Sequence, residues 1–171
     1  MNSANYKDGA VTLGGGKRVH LQWQKSSGNL WKAQLDNPAF EQLFVNGKPQ
    51  ILARYPNYTD TVKIFNGFAA DAIAPKRFNR WSNPENGFVH AMHAGQWGGF
   101  QYRITKKAGD LLLLEGGTQN NRPSAMHTKY RFVENIFEEL DAPGEWYFNA
   151  SEKTLYFFPP LGLNLATAKI E

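Results

Sequence analysis

The stretch Trp146-Tyr147-Phe148-Asn149-Ala150-Ser151-Glu152-Lys153-Thr154-Leu155-Tyr156-Phe157-Phe158 sets two aromatic runs on either side of a polar segment. Trp, Tyr and Phe favour extended backbone because flat rings pack well on a pleated, half-buried surface. The spacing predicts an aromatic hairpin that turns within residues 149–154, with rings pairing across its strands. A second hairpin is expected at Asn46-Gly47, which lies between Leu43-Phe44-Val45 and Pro49-Gln50-Ile51-Leu52. Asn-Gly supplies the positive φ angles of a type I′ turn. Pro49 has no N–H to give to a ladder, so its strand belongs at an edge.

Strand signals continue on both sides. Val19, Leu21 and Trp23 alternate with polar neighbours, and residues 30–35 follow the turn residues Ser26-Ser27-Gly28-Asn29, which predicts a third hairpin. Residues 88–92, 100–105 and 111–115 read as further strands, the last an apolar, buried-looking run joined to its neighbour by a loop at 106–110. Residues 165–170 read as a final strand. Val133, Phe137 and Leu140 fall at helical spacing, which predicts one short helix over 134–140, stopped by Pro143-Gly144. Segments 55–87 and 116–130 read as long irregular crossings; Tyr58, Phe65, Phe68, Phe78 and Trp81 give the first enough apolar surface to be ordered. The pattern predicts an all-β fold, a jelly-roll-like β-sandwich or partly open β-barrel with one short helix and long irregular loops. It forms a single domain over 1–171, with residues 1–14 a boundary segment that has scope for disorder.

Composition narrows the function classes. With 171 residues, 42% of them hydrophobic, the chain can fill a sizeable core. Its charge of +4 arises from 19 Lys and Arg scattered among 15 acidic residues. Only Lys17-Arg18, Lys76-Arg77 and Lys106-Lys107 stand together, which does not make the basic stripe of a nucleic-acid binder. The absence of cysteine excludes disulfides and thiol catalysis. No apolar run approaches the roughly 18 residues of a membrane span, so no membrane partner is expected. Residues 1–9 lack the apolar core of a signal peptide, so an exported parent would carry its signal elsewhere.

Candidate functional residues follow from side-chain chemistry. An indole can stack on the apolar face of a pyranose while polar neighbours bond its hydroxyls, which singles out Trp81, Trp97 and Trp31. Trp97 stands in Gly95-Gln96-Trp97-Gly98-Gly99, where small residues allow close approach; Trp23 and Trp146 read as core. His90 and His93 are expected to face substrate as hydrogen-bonding groups. A metal site with His127 and Glu115 fits poorly, because residues three apart on a strand project to opposite faces, so no metal and no cofactor are expected. Asn121 and Arg122 belong to a donor-rich loop in which Arg122 could clamp the carboxylate of an acidic sugar or pin its own loop's carbonyls. The acidic residues Glu134, Glu138, Glu139, Asp141 and Glu145 read as solvated or capping groups rather than a catalytic pair, one of them suited to contact a sugar hydroxyl. The expected binding set is Trp81, His90, His93, Trp97, Asn121 and Arg122, gathered at one end of the sheets, with no catalytic residue of its own.

Several motifs together resemble a known family. Leu43-Phe44-Val45-Asn46-Gly47, Ala53-Arg54-Tyr55-Pro56-Asn57, Trp97-Gly98-Gly99-Phe100, Glu115-Gly116-Gly117 and the block 133–147 are similar to the β-rich domain inserted into right-handed parallel β-helix glycoside hydrolases of the family 141 type. The resemblance covers residues 15–171. It implies an accessory domain that shapes or lids a substrate cleft, with the catalytic carboxylates on a β-helix in cis, an exported parent, and no activity in this chain alone. The stacked repeats of a β-helix are missing from the sequence. Gly14-Gly15-Gly16 and residues 168–171 would then mark the exit from that helix and the return to it. The residues also leave room for an autonomous carbohydrate-binding module or a structural protein-interaction domain.

Overall fold

In the computed structural model, which describes residues 15–36, 40–119, 122–123 and 125–171, extended segments dominate. In chain order these are β1 (Gln24–Ser27), β2 (Leu30–Gln34), β3 (Phe44–Val45), β4 (Lys48–Pro49), β5 (Ile51–Leu52), β6 (Arg54–Tyr55), β7 (Phe88–His93), β8 (Gly99–Ala108), β9 (Leu111–Gly116), β10 (Thr118–Gln119), β11 (Arg122–Pro123), β12 (Met126–Glu134), β13 (Glu145–Asn149) and β14 (Thr154–Phe157). Among the described residues a single α-helical turn, α1 (Pro75–Phe78), and a 3-10 turn at Phe137–Glu139 interrupt them. The boundary segment 1–14, Asn121 and the side chain of Arg122 lie outside the described residues. Among those described, no helix is long and apolar enough to cross a membrane.

One five-stranded sheet has the order β1-β2-β14-β13-β5 and a second the order β6-β12-β7-β8-β9, with two-stranded ribbons β3-β4 and β10-β11 beside them. The fold is therefore all-β and sandwich-like, with no closed barrel among the described residues. Only Ala53 separates β5, which runs parallel to β13, from β6, which runs antiparallel to β12. Its N–H donates to the Trp146 carbonyl at 2.8 Å and its carbonyl accepts from the Asn135 N–H at 2.9 Å, so one buried residue joins the two sheets. The chain crosses back beside it, through residues 135–144 between β12 and β13.

Each sheet has its own core. Leu43, Val45, Trp146, Leu155, Phe157 and Ile170 fill the first, over which Val19, Leu21, Phe40, Leu163 and Leu165 are laid. Val89, Ala91, Ile104 and Val133 line the inner face of the second and meet Ala72, Phe78, Trp81 and Ile136.

The aromatic hairpin forms as expected, with Trp146 opposite Phe157, Tyr147 opposite Tyr156 and Phe148 opposite Leu155. The turn at Asn46-Gly47 also forms, with φ of 52° and 73°. β1 and β2 make the third hairpin, although Val19, Leu21 and Trp23 precede its first strand, and Val19 makes only an isolated bridge to Ile170. The expected strand at 165–170 is likewise reduced to bridges at Ile170. The helix expected over 134–140 is one 3-10 turn, because Val133 belongs to the buried face of β12 and never joins a helical stripe with Phe137 and Leu140. The one α-helical turn falls instead at 75–78, inside the segment read as irregular, with Pro75 in its first turn, where the missing N–H costs nothing. Segment 116–130, read as a crossing, holds β10, β11 and the start of β12. The apolar run 111–115 is β9, an edge strand whose Leu111 and Leu113 are exposed, since alternate side chains point to opposite faces and only one face of this sheet is covered by the core.

Candidate functional site

Trp97 sits on the turn between β7 and β8. The turn is held by His93 N–H to the Gly98 carbonyl at 2.7 Å, Gln96 N–H to the His93 carbonyl at 2.8 Å, and Ala94 N–H to the Ala125 carbonyl at 2.8 Å. The Gly95 N–H donates to His93 Nδ1 at 2.9 Å, which fixes the imidazole. That ring lies 4.1 Å from the indole, centroid to centroid, at 42°. A Cβ at Gly95 would come within 2.7 Å of the indole, so the ring lies over backbone that only glycine leaves free. The result is an indole braced on one side and 60% exposed, a platform whose position does not have to be found on binding.

His90 stands elsewhere. Along β7, Val89 and Ala91 enter the core while Phe88 and His90 occupy the outer face. There His90 Nε2 and Glu134 Oε1 are 2.7 Å apart, and the imidazole stacks on Phe132 at 4.4 Å and 7°. The Arg54 guanidinium lies 4.0 Å from the Phe132 ring centre. Buried Arg54 also donates to the carbonyls of Pro56 at 2.9 Å and of Phe65 and Gly67 at 3.0 Å. Phe65 and Asn66 both have φ of 53°, a left-handed backbone that bulky side chains rarely adopt. Three charge-assisted bonds from one planar cation hold that strained loop against the sheet as a wall. Beyond the wall the face is open and polar, with Gln101 exposed and Arg103 paired to Glu115 at 2.7 Å.

The expected binding set is thus divided. His93 and Trp97 are brought together, whereas His90 projects from the opposite face of the same strand. Trp81 is a correction: it is 0% exposed in the second core and its Nε1–H donates to Glu139 Oε1 at 2.6 Å, so its ring offers no face to a sugar. Arg122 pairs through its backbone with Gln119 in the β10-β11 ribbon. Phe132 and Glu134, which touch His90, and Arg54 and Phe65, which touch Phe132, were missed. Reading 130–134 as strand, with Phe132 and Glu134 alternating against Val133, was the signal that could have found them.

The carboxylates are engaged one by one. Glu139, 1% exposed, accepts from Arg77, Arg80 and Trp81. Glu138 accepts the Ser82 N–H at 2.7 Å, and Asp141 accepts from Asn57 at 3.0 Å. Glu145 accepts the Asp141 and Ala142 N–H groups through Oε2, while buried Oε1 has no partner among the described residues. Burial pushes its pKa up to about 7, despite those backbone bonds. This is structural chemistry at the junction of the sheets. His127 is committed too, stacked on Tyr130 with Nδ1 accepting two backbone N–H groups. Among the described residues no three His, Asp or Glu side chains gather to hold a metal.

No family model matches the chain, and no curated protein sequence matches it. A solved structure described as a glycoside hydrolase shares its fold, with a TM-score of 0.62 at 24% sequence identity over 91% of this chain. The chain spans 31% of that protein's length.

Proposed function

We propose that this chain is a carbohydrate-handling accessory domain of a larger glycoside hydrolase-like protein, inserted in a β-helix enzyme of the family 141 type, where it shapes or lids the substrate cleft without supplying the chemistry. The observation that carries this reading is the partial correspondence: nearly the whole of this fold recurs as less than a third of a protein described as a glycoside hydrolase. The state of the carboxylates supports it. Hydrolysis by a carboxyl pair needs two such groups facing one scissile bond, and Glu138, Glu139, Asp141 and Glu145 are each spent on a local hydrogen bond or ion pair. Within this reading Trp97, backed by His93, meets the sugar ring, and Asn121 and Arg122 contribute hydrogen-bond donors.

The 171-residue chain is to be assayed on aryl glycosides and on plant and algal oligosaccharides. No turnover is expected; turnover that disappears with Glu138→Gln or Glu145→Gln would overturn the accessory reading. The exposure and bracing of Trp97 favour a second reading, an autonomous carbohydrate-binding module. A module binds glycans by itself and loses that affinity with Trp97→Ala. A lid whose site is shared with the rest of the protein shows no Trp97-dependent affinity in this chain alone.

A further inference from the structure

The covered face of the first sheet ends in an indole that its cover does not close over. Trp31, Phe157 and Trp146 are direct cross-strand neighbours on β2, β14 and β13, so their side chains form one row on one face. Phe157 and Trp146 are buried beneath the cover, and Trp23 leans on Phe157 at 6.0 Å. Trp31, at the outer end of the row, is only partly covered. Beside it a cavity of about 490 Å³ opens between residues 19–23 and 163–170, lined by both Trp23 and Trp31. That volume falls within the roughly 300 to 1,000 Å³ of ligand sites, and is ample for one or two sugar rings.

The lining decides the class of ligand. It includes apolar Leu21, Leu163 and Leu165 together with His20, Gln22 and Asn164, and no Asp, Glu, Lys or Arg. No described residue hydrogen-bonds the side chains of His20 or Gln22, so their donors and acceptors are free to serve a ligand. Two indoles with uncharged hydrogen-bonding groups at the rim match a ring that is apolar on its faces and hydroxylated at its edge. A uronate or sulfated sugar would enter without a cation to meet it, at the cost of desolvating its charge.

We propose that the cavity between residues 19–23 and 163–170, walled by Trp23 and Trp31, binds a neutral pyranose of an oligosaccharide chain. This site lies on the first sheet and is independent of the Trp97 platform on the second. The test is a titration of the chain with neutral gluco-, manno- and xylo-oligosaccharides, and with oligogalacturonate as the charged comparison, followed by calorimetry and tryptophan fluorescence. One neutral series is expected to bind saturably, with affinity lowered about tenfold by Trp31→Ala, a loss of the size that aromatic contacts supply. Gln22→Ala is expected to weaken it less, and Trp97→Ala to leave it unchanged. Trp31→Phe keeps an aromatic residue in the row and guards against a variant that fails to fold; it should show intermediate affinity. Binding that ignores Trp31→Ala and Gln22→Ala, a preference for oligogalacturonate, or no binding of any neutral series would each overturn the proposal. Loss through Trp97→Ala alone would sustain the module reading and sink this site.

Discussion

Over the second sheet the covering layer is pinned by charged groups, whereas over the first it is held by rings, aliphatic side chains and backbone bonds. Residues 69–82 are tied down by Glu139 to Arg77, Arg80 and Trp81, by Glu138 to the Ser82 N–H, by Lys107 to the Trp81 carbonyl and by Arg131 to the Ala70 carbonyl. Residues 19–23, 40–45 and 163–170 instead lie on Leu155, Phe157 and Trp146, with Val19 and Phe44 bonded to the C-terminal segment. Apolar contact is tolerant of small shifts, while a buried carboxylate with several donors accepts one geometry. The first cover can therefore leave a cavity beside Trp31. The second must keep its place, and it supports the strands that carry His90, His93 and Trp97.

The largest effects should follow from breaking the charged pin. Glu139→Ala leaves Arg77 and the Trp81 indole buried without their acceptor, and is expected to cost about 3 to 5 kcal/mol in urea unfolding. Arg80 is 55% exposed, so Arg80→Ala should cost no more than about 1 kcal/mol. Equal costs for the two variants would mean that packing, not the ion network, holds the second cover. In the first half Leu155, 0% exposed, gives the matching apolar experiment. Leu155→Ala should cost about 2 to 5 kcal/mol through lost burial and the cavity left behind.

Glu145 tests the comparison through pH. Its carboxyl is raised from an ordinary 4.5 to about 7, first by burial and further by the charge of Asp141, against the backbone bonds from Ala142 and Asp141. Below about pH 4.5 folded and unfolded chains both hold the proton, and the group costs nothing. Between that value and about 7 the folded state keeps a proton that the unfolded state releases, so stability falls as pH rises. The full loss is of order 3 kcal/mol once the pH has passed about 7, since each pH unit crossed between the two values removes about 1.4 kcal/mol. Glu145→Gln should flatten this slope between about pH 4.5 and 7. An unchanged slope would place the titrating group elsewhere.

The strands of both sheets were largely legible in the sequence, β7, β8 and β9 as much as the aromatic hairpin, whereas the segments that cover the sheets were not, for a physical reason. Pairing in 146–157 and turning at Asn46-Gly47 depend on neighbours in the chain, and their residues state that chemistry locally. The burial of Trp81 depends on Glu139, 58 residues away. Its own surroundings, Asn79-Arg80-Trp81-Ser82-Asn83, read as an exposed loop. Leu111 to Leu114 look buried by composition, and only the covering of one face of their sheet leaves every second one exposed, as on β8. The exposure of Trp97 was legible because glycines flank it. The His90 face was missed because its partners come from β6, β12 and the loop at 65–67, which no local pattern joins.

The smallest expected change in stability falls at the indole proposed to meet a sugar. Trp97 is 60% exposed and belongs to neither core, so Trp97→Ala should change the free energy of unfolding by no more than about 0.5 kcal/mol. Gly95→Ala sharpens the point, because it keeps the indole and removes the space it occupies: the new Cβ would lie within 2.7 Å of the ring, which must swing off its His93 support. If carbohydrate contact needs only an exposed indole, Gly95→Ala should bind a glycan array as the parent chain does. On the module reading, in which Trp97 carries affinity in this chain, an indole that must already be in place makes Gly95→Ala weaken binding in the same direction as Trp97→Ala, with thermal melts of both unchanged. On the lid reading the same comparison belongs to the whole parent protein. A bracing contact that matters to binding and not to folding is what separates a site from a surface, since rigidity held in advance lowers the ordering entropy that association otherwise costs.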